Sequence, residues 1–321
     1  MFDIVALGEL LIDFMPRGTS ESGNFLFEAC PGGAPCNVLS AATKLGKKTA
    51  FIGKVGTDLF GRFLGDAVAS YHIDTTSLYR TDTAFTTLAF VALDKEGNRD
   101  FSFSRIHSAD TLLSEEEISE DLIGNARIFH VGTLSMTDEP ARSATIKALE
   151  LAKQQGVLIS VDPNLREPLW KCPEDAKEAI RTVLSYADII KISDYELTFL
   201  YGERDIAEAA RQCFAEFSPK LLFATCGKDG AYALTADKIL HHPCYLKVKT
   251  IDTTGAGDSF CGATLSRLLD FGCNPDVLTE EQLFEMLQFA SAAASLTTTR
   301  YGSIAVMPDE REIEGLIKEG V

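Results

Sequence analysis

The sequence predicts an α/β fold, a mainly parallel sheet covered by helices with a small β lid set into its first third. Three observations predict it. Short apolar runs alternate with amphipathic segments over most of the 321 residues, the pattern of strands buried between helical layers. Two stretches, 14–30 and 86–105, break that alternation and read as β excursions. No repeat, low-complexity tract or Pro/Gly/Ser linker divides the chain, so 1–321 reads as one domain carrying those two excursions.

In chain order, the buried-strand candidates are 4–7, 49–52, 127–131, 157–161, 189–192 and 221–225. Segment 14–30 is polar and glycine-bearing, with Phe25 and Phe27 alternating. After it, the Gly32, Gly33 and Pro35 run opens a helix whose apolar positions include Val38, Ala42 and Leu45 and whose stop is Gly46. Segment 86–105 reads as a strand, a turn at 94–98, and a second strand with Phe101 and Phe103 on one face. Ser114 followed by Glu117 forms a capping box. Pro140 sits in the first turn of the next helix, and Gly156 closes it. Near the C-terminal end, the Leu265, Leu268, Leu269 spacing starts a helix close to Gly257.

Forty-seven acidic against 30 basic side chains give a net charge of −17. Nucleic acid and anionic membrane surfaces are excluded as partners, because both are bound through clustered Lys and Arg. An anionic ligand would need a local device to overcome the repulsion, such as a helix N-terminus, a magnesium ion or an arginine. The eight cysteines are scattered without a CxxC pair, which fits reduced thiols. The start lacks a basic leader and meets an acid at Asp3, and no apolar run approaches a membrane span, so a cytoplasmic protein is expected.

The segment from Asp252 to Ala263 carries the most chemistry. Gly255, Ala256 and Gly257 let backbone approach a ligand closely, and the free N–H groups of the helix start there face an anion. Asp258 can accept a proton from an attacking hydroxyl, and the helix N-terminus is expected to depress its pKa. The same residues also read as a glycine-rich helix entry whose Asp stabilises the dipole. A second cluster joins Asp13, placed after a buried strand, to Gly32, Gly33 and Asn37; a carboxylate, glycine N–H groups and an amide can hold the hydroxyls of a polyol. Taken alone it also reads as a turn and helix cap. P-loop, dinucleotide-binding and protein-kinase motifs are missing.

Gly32 to Asn37 with Val55 to Gly61, and then Asp252 to Asp258, resemble the two signatures of the PfkB/ribokinase-like carbohydrate kinases, and matches run from Gly8 to about Pro308. The resemblance implies a ribokinase-like three-layer sandwich and phosphorylation of a sugar hydroxyl by ATP with Mg²⁺. In that reading Asp258 is the base and Gly255, Ala256 and Gly257 form the anion hole. Asp13, Gly32, Gly33 and Asn37 bind the sugar. Lys191, Ser193 and Glu196 match the Asn-x-x-Glu element that orders magnesium and phosphate, with Ser193 in place of the usual Asn. Bottom-up, Glu196 is a solvated acid on a helix face. Thr225, Gly227 and Gly230 resemble the nucleotide turn, and Ser291 is placed beside the base. Many members bind potassium, and the backbone carbonyls of Asp252, Thr254, Thr297, Arg300 and Gly302 match those positions, while Val306 stands where some members supply a hydroxyl.

For the acceptor, Ala34 replaces the lysine of ribokinases. Arg166 after Asp162, and Arg105 before Ser108 and Asp110, resemble fructokinases first and 2-keto-3-deoxygluconate kinases second. Both arginines are expected to point guanidinium donors at the substrate. Ser104 replaces the aromatic often found before that lid arginine. A catalytically silent sugar- or partner-binding member is the third reading, opposed by the intact Asp258. Leu88, Phe90, Phe101 and Phe103 give the lid strands an apolar face, and a homodimer through the lid is expected.

Overall fold

The computed structural model describes residues 1–93, 99–203 and 205–321; the turn expected at 94–98 lies outside them. Its strands are β1 (Phe2–Leu7), β2 (Leu11–Thr19), β3 (Phe25–Gly32), β4 (Thr49–Gly56), β5 (Ile73–Thr81), β6 (Leu88–Leu93), β7 (Arg99–Ser104), β8 (Ala126–Val131), β9 (Leu158–Val161), β10 (Ile189–Ser193), β11 (Leu221–Thr225), β12 (Ala231–Leu234) and β13 (Ile239–His242). Nine of them form one sheet in the order β13-β12-β11-β10-β9-β8-β1-β4-β5. Every pair from β11 to β5 is parallel, and only the β11–β12 and β12–β13 pairs, at one edge, are antiparallel.

Period-2 alternation gives this sheet two cores. Ile4 and Ala6 of β1 pack into one, while Val5 and Leu7 pack into the other. Leu221 and Phe223 of β11 likewise face away from Leu222 and Ala224. Strands buried on both sides read as continuous apolar runs, which is why the sequence located six of them. The result is the expected α/β sandwich, with helices on both faces. Among the described residues, no helix is long and apolar enough to cross a membrane.

The two excursions are one structure. Strands β3-β2-β6-β7 make a separate four-stranded sheet, joined by the parallel pairing of Ile12 with Leu88 and Phe14 with Phe90. Phe14 stacks on Phe90 at 4.9 Å between ring centroids, and Phe27 meets both edge-on. Among the described side chains, the apolar ones this sheet leaves exposed are Phe25, Leu26 and Phe27 of β3, whereas Leu88, Phe90 and Phe103 are half-buried and the side chain of Phe101 lies outside those described. Of the described residues, it is thus β3 that carries the exposed apolar face. The Ser114–Glu117 capping box is present, but it closes a single 3₁₀ turn, Glu115–Glu117.

Helix Ala34–Lys44 lies against helix Ala256–Asp270, and Gly262 sets their separation. A Cβ at Gly262 would lie 2.6 Å from both the Val38 carbonyl oxygen and the Ala41 Cβ. Helix propensity alone makes Gly262→Ala stabilising by about 1 kcal/mol. The close approach outweighs that gain, since overpacking costs about 1–3 kcal/mol. Gly262→Ala is therefore expected to lower the urea midpoint at unchanged m-value, and a raised midpoint would show that the helices separate freely.

Candidate active site

Loops at the carboxyl ends of the parallel strands build the site, where open α/β sheets place their ligands. Gly33 caps helix Ala34–Lys44 with φ 121°, and a Cβ there would lie 2.4 Å from the Glu9 carbonyl oxygen, so only glycine fits. Asn37 is thereby placed in the first turn, where its Nδ2 donates to Asp258 Oδ2 at 2.7 Å. Asn37 Oδ1 is buried and has no hydrogen-bond partner among the described residues. It is an acceptor open to a ligand hydroxyl, because Asn37 lines a cleft. Gly255 caps helix Ala256–Asp270 in the left-handed region at φ 76° and lines that cleft with Gly257, while the Ala256 N–H donates to the Thr253 carbonyl at 3.3 Å.

Burial dominates the charge of Asp258. It raises the carboxyl above the usual range, against the Asn37 hydrogen bond and the nearby Lys191 and Arg166 charges, which favour the ionised form. The expected depression by the helix N-terminus is thus reversed. A raised pKa makes Asp258 a better base than the sequence suggested. Lys191 pairs with the buried Asp162 at 2.9 Å. Burial alone would favour neutral Lys191, but Asp162 and then Glu196 override it and hold the lysine protonated. Its Nζ lies 3.1 Å from where a Gly257 Cβ would be, which brings its charge beside the anion hole.

Glu196 is buried, not the solvated acid its helix-face position suggested. Ser193 N–H and Oγ–H both donate to its Oε2 at 2.8 Å, and Leu165 N–H donates to Oε1 at 2.8 Å. The Ser193–Glu196 capping box starts the helix at Asp194 and at the same time turns the acid inward.

Two cavities meet here. The first, about 660 Å³, is lined by Asp13, Gly33, Asn37, Arg166, Lys191, Ser193, Glu196, Gly255 and Asp258. The second, about 390 Å³, is lined by Thr225, Gly227, Gly230, Ala256 and Ser291, with apolar Tyr245, Val248 and Phe260. Thr253 and Gly257 line both. Gly32 serves the first cavity indirectly: a Cβ there would lie 2.1 Å from Asp13 Oδ2, so its absence lets that carboxylate lie across the turn. Behind the junction, the buried Asp252 carboxylate accepts from Thr254 N–H and Oγ1–H and from Gly302 N–H, drawing the loop and the 300s turn together. Thr297 ends the helix Glu280–Thr297, and the Arg300 N–H, in the turn beyond it, donates to the Thr297 carbonyl at 3.4 Å.

Arg105 does not point into the cleft. It is buried, with Nε donating to Asp110 at 2.8 Å, one terminal nitrogen to the Leu134 carbonyl at 2.9 Å and the other to Thr137 Oγ1 at 2.6 Å. Sequence reasoning missed Glu9, a buried acid lining the first cavity, whose Oε1 accepts the Ala34 N–H at 2.9 Å. Burial raises its carboxyl to about 7. The available signal was an acid set between the apolar residues of Leu7 and Leu10 at a strand end.

A sugar-sized polar cleft and an apolar cavity, sharing a helix N-terminus and a buried base, define a phosphotransferase. The chain belongs to the pfkB family of carbohydrate kinases, whose profile matches residues 1–310. It is 43% identical over 324 residues to fructokinase-2 of Solanum lycopersicum, covering 99% of this chain and 96% of that protein. The crystal structure of a fructokinase with bound ATP from Xylella fastidiosa matches with a TM-score of 0.87 at 33% identity, over 99% of this chain and 98% of that one. A fructokinase from Vibrio cholerae in a form with fructose, ADP and calcium ion bound matches with a TM-score of 0.87 at 32% identity, over 98% and 99%.

The Asn37 bond favours ionised Asp258, so Asn37→Ala is expected to raise the Asp258 pKa further. Only the carboxylate accepts a proton, and the acid limb of the kcat against pH profile should therefore move to higher pH. An unmoved limb would mean that the limb reports another group.

Proposed function

We propose that this chain is an ATP-dependent fructokinase that forms fructose 6-phosphate. The observation that carries this reading is the junction of the two cavities at Gly257, with Asp258 and the unpartnered Asn37 Oδ1 on the sugar side. The similarity to fructokinases over nearly the whole chain supports it. In this mechanism Asp13, Asn37 and the Gly33 backbone hold the sugar hydroxyls, and ATP lies in the apolar cavity with its base beside Ser291. The sugar oxygen forms a bond to the γ-phosphorus as the bond to the bridging oxygen of ADP breaks, and its proton passes to Asp258. Backbone N–H groups of Gly255, Ala256 and Gly257 meet the phosphoryl oxygens, and Lys191 adds positive charge. Water is kept from the reacting phosphate by the four-stranded sheet, which acts as a lid on a single domain.

Magnesium suits Glu196 through water. Each of its oxygens already accepts a protein hydrogen bond, and this ion keeps several waters and draws its other ligands from phosphates. It would bridge and neutralise phosphate charge. Potassium suits the backbone carbonyls of Asp252, Thr254, Thr297, Arg300 and Gly302, a weak-field oxygen set gathered by the Asp252 carboxylate. We also propose a cytoplasmic homodimer, paired through the lid at exposed Phe25 and Phe27; a monomer by sedimentation equilibrium would refute that pairing.

A 2-keto-3-deoxygluconate kinase needs a guanidinium for the substrate carboxylate; Arg105 is committed to protein groups while Arg166 lines the cleft, so the arginines alone do not choose the acceptor, and the similarity to fructokinases favours the neutral hexose. In a coupled ADP-release assay fructose should give the highest kcat/KM among fructose, ribose, mannose, adenosine and ketodeoxygluconate. Preference for the keto acid would reverse the assignment, and no turnover of any of them would favour a binding protein. Asp258→Asn is expected to lower kcat by about 10²–10⁴-fold with ATP affinity retained. Near-normal turnover would remove Asp258 from the role of base.

A further inference from the structure

The root of the lid hairpin is tied to one buried carboxylate. Thr87 immediately precedes β6 and Arg105 immediately follows β7, and the pairing of Leu88 with Ser104 sets them side by side. Asp110, on the short turn Ala109–Leu112, receives both. Thr87 and Ser108 hydroxyls donate to its Oδ1, and the Arg105 guanidinium donates to its Oδ2 through two nitrogens at 2.8 Å. The same guanidinium then crosses to the body of the protein, to the Leu134 carbonyl and Thr137 Oγ1 beyond β8.

Stability does not account for this arrangement. Arg105 and Asp110 side chains are each only 3% exposed, and withdrawing such a pair from water costs about as much as its attraction returns. Apolar side chains would fill the space equally well. What the pair adds is direction: a planar fork with fixed donor positions. The elements it joins each contribute a residue to the lining of the sugar cleft, Phe103 from β7 and Leu134 from the body.

We propose that Asp110 is a positioning residue for the sugar, which through Arg105 fixes the lid wall at Phe103 against the body wall at Leu134. The proposal rests on the kinase reading above and assigns Arg105 a task different from substrate contact. The nucleotide cavity has no wall on these elements, so its affinity is independent of the clamp.

The test is steady-state kinetics of full-length Asp110→Asn, which keeps the side-chain size and removes the charge. The KM for the sugar should rise about tenfold, the factor lost with one charge-assisted hydrogen bond, while the KM for ATP stays within about twofold. If Asp110→Asn does not fold, Thr137→Val removes the bond from Arg105 together with the hydroxyl's own bond to the Leu134 carbonyl and leaves the buried pair intact; its sugar KM should rise about threefold. A folded variant with unchanged sugar KM, or with both KM values raised equally, overturns the proposal. The split is read on whichever sugar the wild-type chain phosphorylates, so inactivity toward fructose alone counts against the functional reading and not against the clamp.

Discussion

Everything in the site depends on how closely two helix N-termini approach. Asn37 and Asp258 are separated by 221 residues and meet because helix Ala34–Lys44 lies against helix Ala256–Asp270 at Gly262. Three further contacts fix the first helix. Ser40 Oγ–H donates to the Ile304 carbonyl, Glu9 receives the Ala34 N–H, and Gly33 fits against the Glu9 backbone. Each removes a degree of freedom from the helix that carries Asn37. A hydrogen bond that tunes a base must hold its geometry within a few tenths of an ångström, and packing supplies that precision better than a loop does.

That junction also decides which electrostatic effect prevails. A helix N-terminus favours a carboxylate by at most about 2 kcal/mol in partly buried geometry. Enclosure by protein works in the opposite direction, and at Asp258 it wins even with Lys191 and Arg166 close by. The acid thus keeps proton affinity while it sits among positive groups that attract phosphate. Both properties follow from one enclosed pocket. A solvated Asp at the same helix start would have the attraction without the basicity.

The central sheet was legible because burial on both faces writes itself into local composition: the runs at 4–7 and 221–224 are apolar at every position. The helix entry at 255–257 was legible because glycine is required where backbone must turn left-handed, as at Gly255. Other features had no local signature. The two β excursions carry nothing that says Ile12 pairs with Leu88, since register between distant strands is set by packing. Arg105 carries the same five donors whether it meets a sugar or a carboxylate five residues away, and only the fold decides. Glu196 looked solvated because its neighbours Asp194 and Tyr195 are polar, yet the capping box turns it inward. The sign of the Asp258 shift required knowing the enclosure, which the residues flanking it do not encode.

The net charge of −17 and an anionic substrate are compatible because they act over different ranges. Exposed charges are screened beyond about 8 Å at physiological ionic strength, so the acidic surface mainly slows the approach of ATP. Within the site the balance is local: Lys191 and Arg166 line the cleft, and the helix start at Gly255 and Gly257 lies on the same wall. The second cavity is walled mostly by apolar and small side chains, with Lys228 in its lining, and suits a flat base that is buried. A neutral sugar needs still less. Asp13, Glu9 and Asn37 supply acceptors for hydroxyls, and the buried acid Glu9 requires a donor opposite it. A polyol provides such donors, whereas a second anion would meet the four carboxylates that line the cleft, Glu9, Asp13, Glu196 and Asp258. The acidity of the chain and the chemistry of its acceptor therefore point the same way, toward an uncharged sugar phosphorylated by a nucleotide that is held locally.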